Sequence, residues 1–558
     1  MKHSGPISSV ASYYPYVATG GYDNRVVLWD AHTKTPVARS MHDHLVNHCA
    51  FSQDGQMLVS ASSDYTARIW ELPTLRLLAV LSGHQDDVDM AAFSNDKKFV
   101  ATCALDRAIR IFHLNGTCLR TLRGHTGNII SLLWSANDDY LFSSSVDGTV
   151  RKWCAETGRE LDCYDLDGVR TDTIAIDAQG RIFAGDDQGR IGIIENSRPR
   201  YVSAHKAGIK KLVYCDQAQM LVSLSYDRSL ALWKIGDDAS VTELRRTSMP
   251  AMVWARAAAI LADATIAVGT FGNRYAIYDW RQDTWDTEDI EVNEGANAIA
   301  FHQRGIYTIG DAGLLRKDGH AIMSMGSLCN FLLSSSDRLY TGGQLGQLFE
   351  AISGTLIYQH HSPLNCATTI RLDNGDFIAV GTYTGEILIF AVQVDQSLRF
   401  EAEIQVYQNA IKGLACAGHR LFSVCASTDI AWHDCRDWRL IAKRKHAHEK
   451  IVNACCRFGD NGFASVGRDR TLRIWLEGAQ ETYQTPHAHS VKCLCASADG
   501  KRLLTGSYGG TLAEFDSATR AWTSFRKPTV AGISAIAYDT TNHRFLATSY
   551  DGEIHIVD

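Results

Sequence analysis

The sequence predicts an all-β protein: two tandem seven-bladed β-propellers, about fourteen four-stranded blades in all. Three observations predict it. First, a phrase built from a turn around Asp and an alternating strand closing on Trp returns about every forty residues. It reads GGYDNRVVLWD ending at Asp30, SASSDYTARIWE ending at Glu71 and SSSVDGTVRKWC ending at Cys154. It returns as SLSYDRSLALWK ending at Lys234 and SVGRDRTLRIWL ending at Leu476. Second, a His stands upstream of the Trp and a β-branched apolar residue follows it four positions later, as in His42 and Val46, His84 and Val88, and His125 and Ile129. Third, apolar residues alternate throughout and no stretch carries a 3.6-residue period.

The closing-Trp position anchors each blade. Clear anchors are Trp29, Trp70, Phe112, Trp153, Trp233, Trp475 and Phe515. Weaker ones fall near Ile194, Tyr278, Lys317, Ala351, Phe390, His433 and Val557, and the signature fades from about 250 to 440. One ring holds about four to eight blades, so fourteen implies two. The junction is expected near 283, in the acidic stretch Gln282–Asp289, giving domains 1–283 and 284–558. The C-terminal ring is the more degenerate. Residues 7–12 already read as an inner strand, and Glu553–Asp558 reads as a third strand. The last blade then lacks a fourth strand, and an open sheet edge invites pairing. A solution within the chain, either another segment covering that edge or the last blade returning to the first ring, is favoured over a docked partner.

Composition narrows the function. The chain has 558 residues, a formal net charge of −7 and 45% hydrophobic residues. That balance carries no electrostatic footprint for nucleic acid or for an anionic membrane. The segment MKHSGPISSVASYY has no apolar signal core, and no run approaches the ~20 apolar residues of a membrane helix. Fifteen Cys, odd in number and irregularly spaced, read as reduced buried thiols. A cytoplasmic protein, monomeric or part of a hetero-complex, is expected.

These residues resemble the WD-repeat family, marked by Gly-His near the start of a repeat and Trp-Asp near its end. Gly83-His84 and Gly124-His125 match the first mark, and Trp29-Asp30 the second. The resemblance implies a structural network in which a loop His hydrogen-bonds the turn Asp and links it to the Trp strand. The sets are His3, Asp23 and Trp29; His42, Asp64 and Trp70; His125, Asp147 and Trp153; His205, Asp227 and Trp233; and His448, Asp469 and Trp475. His84 and Asp106 form a further set in which Phe112 replaces Trp. Tandem seven-bladed rings also occur in this family, in actin-interacting proteins. The resemblance implies a protein or peptide partner.

Three histidines fall outside those sets. His446-Ala447-His448 and His487-Ala488-His489 occupy equivalent loops of adjacent blades, and residues two apart in an extended segment point the same way. Gly509 takes the Asp position opposite His487, which releases His446, His487 and His489 as candidate ligands for a divalent metal. Polar loop chemistry is the competing reading. Cys455, Cys456, Cys493 and Cys495 cluster nearby and read as small core hydrophobes. The pairs Asp86-Asp87, Asp138-Asp139, Asp186-Asp187 and Asp237-Asp238 read as solvated residues of turns and inter-blade loops, with an acidic rim that binds a cationic partner as the alternative.

No P-loop, nucleophile elbow or zinc-protease helix is found, and no catalytic residue or cofactor is assigned. Two classes of function stay open. The first is a non-catalytic scaffold that presents a rigid propeller face to a protein or peptide, as an accessory component of a bacterial pathway. The second is a small-molecule or metal site in the second propeller, extending to catalysis, as in a secondary-metabolite protein of the toxoflavin type.

Overall fold

A computed structural model describes residues 1–195, 198–261, 264–292, 294–373 and 375–558. Every helix or strand among them is a strand. Thirteen sheets have four strands and one has three, and within each sheet the strands follow one another in chain order. The chain divides into two compact units, Met1–Asn293 and Glu294–Asp558. Each holds seven sheets. Thirteen of the fourteen anchor residues lie in the third strand of a sheet, and Ala351 follows Gln347–Glu350 by one residue.

The first sheet shows why these residues fold this way. Its inner strand Ile7–Tyr13 pairs with Tyr16–Gly21, which pairs with Arg25–Asp30, and Pro36–Met41 forms the outer edge. Burial peaks in the two middle strands and is lost at the outer edge. The second strand, YVATGG, is buried on both faces from Val17 onward. The outer strand, PVARSM, alternates between exposed and half-buried positions. Sheets stacked face to face around an axis squeeze their middle strands, and only small residues alternate with aliphatics there. MLVSAS, FVATCA and RLLTGS repeat the pattern.

Adjacent sheets lock through the anchor side chain. Trp70 packs against Ala18, Val26 and Leu28 of the sheet before it, and Trp475 against Phe422 and Val424. The first ring closes by the same contact. Trp29 packs on Ala257, Ala267 and Tyr275 of the seventh sheet, with the Tyr275 ring edge-on at 5.7 Å. Closure in this unit exchanges no strand between sheets; Ile7–Tyr13 simply lies between Val46–Phe51 and Val253–Ile260. In the second unit, Ile533–Asp539 lies between Val491–Ala496 and Ala296–His302, so the three-stranded last sheet closes the second ring.

The acidic stretch expected at the junction is part of a blade. Thr284–Asp286 is the outer strand of the seventh sheet, and Trp285 packs on Tyr278 at 4.9 Å. The first unit therefore runs past 283 to Asn293.

Several middle strands carry glycine where the next blade presses closest. A Cβ on Gly20 would lie 2.6 Å from Val46 Cγ1, and one on Gly506 2.6 Å from Ile533 Cγ2. Gly185 and Gly381 meet Ile209 and Ile411 in the same way. Gly20→Ala is expected to destabilise the first unit by about 1–3 kcal/mol through overpacking. Adding Val46→Ala should recover part of that loss, because it empties the colliding volume. Thermal melts of both variants check this.

Candidate functional site

The histidines, aspartates and tryptophans of the repeat meet at one point in each blade, and a fourth residue joins them. In the second blade Ser60 Oγ lies 2.7 Å from His42 Nε2 and 2.7 Å from Trp70 Nε1. His42 Nδ1 lies 2.8 Å from Asp64 Oδ2. The donors order the chain in one direction. Indole N–H can only donate, and an ionised carboxylate can only accept. Trp70 therefore donates to Ser60, Ser60 donates to His42 Nε2, and His42 Nδ1–H donates to Asp64. A neutral imidazole satisfies every member.

The same chain recurs around the rings. Thr19 joins His3 and Trp29 at 2.8 and 2.7 Å, Ser143 joins His125 and Trp153 at 2.8 and 2.8 Å, and Ser223 joins His205 and Trp233 at 2.7 and 2.7 Å. Ser465 joins His448 and Trp475 at 2.7 and 2.8 Å. The paired carboxylates stand 2.9 Å away for Asp23, Asp147 and Asp469, and 3.1 Å for Asp227. In the third blade Asp106 and Thr102 hold His84 at 3.1 and 2.7 Å, with Phe112 in place of the indole.

Each Asp also ties two backbone segments together. Asp64 accepts the N–H of Asp43 in the loop before the inner strand and the N–H of Thr66 in its own turn, at 3.2 and 2.9 Å. Asp147 does the same for Thr126 and Thr149, and Asp227 for Lys206 and Ser229. Burial alone would raise the Asp64 carboxyl, but His42, Thr66 and the Asp43 amide hold it well below the usual range. Burial is the main force lowering His42 and His448, and it outweighs the pull of their carboxylates. The ionised Asp and neutral His match the donor order.

The bridging hydroxyl was not legible as a site residue. Its signal is a Ser or Thr ten positions before each Trp, hidden among the many Ser and Thr of middle strands.

The blades without the signature replace the strut with other chemistry. In the fifth, Asp186 takes the Arg190 guanidinium at 2.7 Å and the amides of Gln188 and Arg190. In the eleventh, Tyr407 Oη reaches Ser423 Oγ at 2.9 Å. In the tenth, Val380 occupies the hydroxyl position, and His360 Nε2 is buried without a partner.

The candidate metal ligands do not form a free set. His487 keeps the strut position: its Nε2 lies 2.9 Å from Thr505 Oγ1 and its Nδ1 2.6 Å from Thr511 Oγ1. Burial lowers it to about 4. Thr511 thus serves in place of the missing Asp, and reading His487 as released is corrected. The ring of His489 fills the space above Gly509, where a Cβ would lie 2.3 Å from His489 Cδ2. His446 is exposed, with Nδ1 3.4 Å from Thr428 Oγ1. Among the described residues no group of three or more His, Cys, Asp or Glu is placed to hold a metal ion. Burial pushes the Cys493 and Cys495 thiols up to about 12.

One charged cluster escaped sequence reasoning. Arg170 and Lys210 grip Asp172 at 2.7 and 2.8 Å, and Lys210 also reaches Asp187. Asp187 was read as a solvated turn residue, yet it lies against two cations of neighbouring elements.

A family model described as "WD domain, G-beta repeat" matches residues 1–30, 35–71, 75–113, 116–154, 415–475 and 480–516. These six segments of the chain match the WD-repeat family. It is 26% identical over 251 residues to Transducin-like enhancer protein 2 of Mus musculus, covering 43% of this chain and 33% of that protein. It is 25% identical over 261 residues to Protein groucho of Drosophila melanogaster, covering 44% and 36%. Periodic tryptophan protein 2 of Arabidopsis thaliana is 26% identical over 174 residues, covering 30% and 19%. The chain thus spans a fifth to about a third of the length of these curated relatives. No helix of the described residues is long and apolar enough to cross a membrane. The unmatched stretch between 154 and 415 includes one WD repeat with a complete strut, that of His205, Ser223 and Trp233.

Ser60→Ala is expected to lower the melting temperature, because it strands His42 Nε2 and Trp70 Nε1, at a cost of about 1–3 kcal/mol. Ser60→Thr should stay near wild type, since Thr19 already fills this role in the first blade. Calorimetry on the two variants checks this.

Proposed function

We propose that the protein is a recognition scaffold whose WD-repeat loop face binds a protein or peptide partner. The observation that carries this reading is the double tether made by each turn Asp. In the second, fourth and sixth blades it fixes the loop before the inner strand to the turn between the second and third strands. Loops held this way are ordered before a partner arrives, so binding loses little conformational entropy. Exposed side chains ride on the tethered amides: Gln85, Thr126 and Lys206 each follow a buried His. The reading needs no cofactor.

Affinity capture with the full chain from its native source, followed by calorimetry with the captured partner, tests it. Replacing Gln85, Thr126 and Lys206 together with Glu should weaken that partner at least about tenfold while the melting temperature holds. A partner whose affinity ignores all three changes would contradict the proposed face. A captured small molecule or metal, with no protein, would favour the second-propeller ligand site instead.

A further inference from the structure

Two thiols meet in the eleventh blade, at the end of the sheet away from the tethered loops. Cys416 lies near the end of the inner strand Ile411–Ala417, and Cys435 directly follows the third strand Ile430–Asp434. Their sulfurs are 4.0 Å apart. Cys435 is 1% exposed and packed in the blade core, and its amide donates to His419 O at 2.8 Å, which fixes its backbone. Cys416 is only partly buried. The inner and the accessible thiol thus sit in contact, one held and one reachable.

We propose that Cys416 is a peroxide-reactive thiol and that Cys435 is its resolving partner. The surroundings of Cys416 favour a thiolate. The sulfur–sulfur contact with Cys435 is the largest influence lowering the Cys416 pKa; burial opposes it, and the Arg457 guanidinium on the neighbouring inner strand adds to the lowering. Thiolate character, access and a neighbouring second thiol are the features of a redox-sensitive cysteine.

The chemistry balances with hydrogen peroxide as oxidant. The Cys416 thiolate attacks one peroxide oxygen. An S–O bond forms, the O–O bond breaks, and the departing hydroxide takes a proton from solvent to leave as water. Cys435 then attacks the sulfenic sulfur. An S–S bond forms, the S–O bond breaks, and the hydroxyl leaves as a second water with the thiol proton. Two electrons pass from the sulfurs to peroxide. The sulfurs close from 4.0 Å to about 2.05 Å. That bond would tie the hairpin after Ala417 to the segment after Asp434.

Peptide mass spectrometry on the full chain, treated with limiting hydrogen peroxide at neutral pH and then alkylated, tests the proposal. The exposed thiols Cys118 and Cys163 are internal references. The expected result is a Cys416–Cys435 linked peptide pair, reversed by dithiothreitol and formed at least about tenfold faster than Cys118 or Cys163 is oxidised. In Cys435→Ser, Cys416 should instead persist as a sulfenic acid trapped by a cyclic dione. Wild-type protein that oxidises Cys118 and Cys163 first, or that never links Cys416 to Cys435, would overturn the proposal without recourse to any variant.

Discussion

A single hydroxyl buried in a middle strand connects the parts of each regular blade. It accepts from an indole and donates to an imidazole, and the imidazole passes the polarity on to a carboxylate at the turn. Ser60, with His42 at 2.7 Å and Trp70 at 2.7 Å, is the clearest instance. Each member has a partner, so a polar chain lies in the sheet without the penalty of an unsatisfied group. The strut joins the second and third strands, the turn between them and the loop ahead of the inner strand, and it reaches the surface only through Asp. The loop face inherits its order from the core.

Closure of the first ring depends on the same side chain performing a second task. The indole that donates to the hydroxyl also fills the space against the preceding sheet, as Trp70 does over Val26 and Leu28 and Trp29 does over Ala267 and Tyr275. Packing between sheets and hydrogen bonding within them are thereby coupled. Where the indole is lost, bulk is kept by Phe112, Phe390 or Phe515, all nearly fully buried. Where the imidazole is lost, Tyr407 supplies a hydroxyl to Ser423. These blades keep the sheet and vary the strut.

The architecture was legible because its period survives substitution. The anchor positions of the degenerate blades, such as Tyr278, Phe390 and His433, lie in third strands although none is Trp. Spacing carried that reading, not residue identity. The strut was legible only in outline. His, Asp and Trp are rare enough to stand out, whereas Ser60 or Ser143 is one hydroxyl among several in its strand. Groups assembled from neighbouring elements left no local mark at all. Arg170, Asp172, Asp187 and Lys210 come together only through the sheet geometry, and so do Cys416 and Cys435. His487 misled because Thr511, two residues past the absent Asp, takes over its Nδ1.

The protonation of the strut imidazoles tests this account most directly. Nitrogen-15 NMR on selectively histidine-labelled protein at neutral pH reads it. The account predicts His42 and His448 as neutral rings carrying their proton on Nδ1, with Nε2 accepting from Ser60 and Ser465. Rings protonated on both nitrogens, or carrying the proton on Nε2, would reverse the order of donors and contradict it.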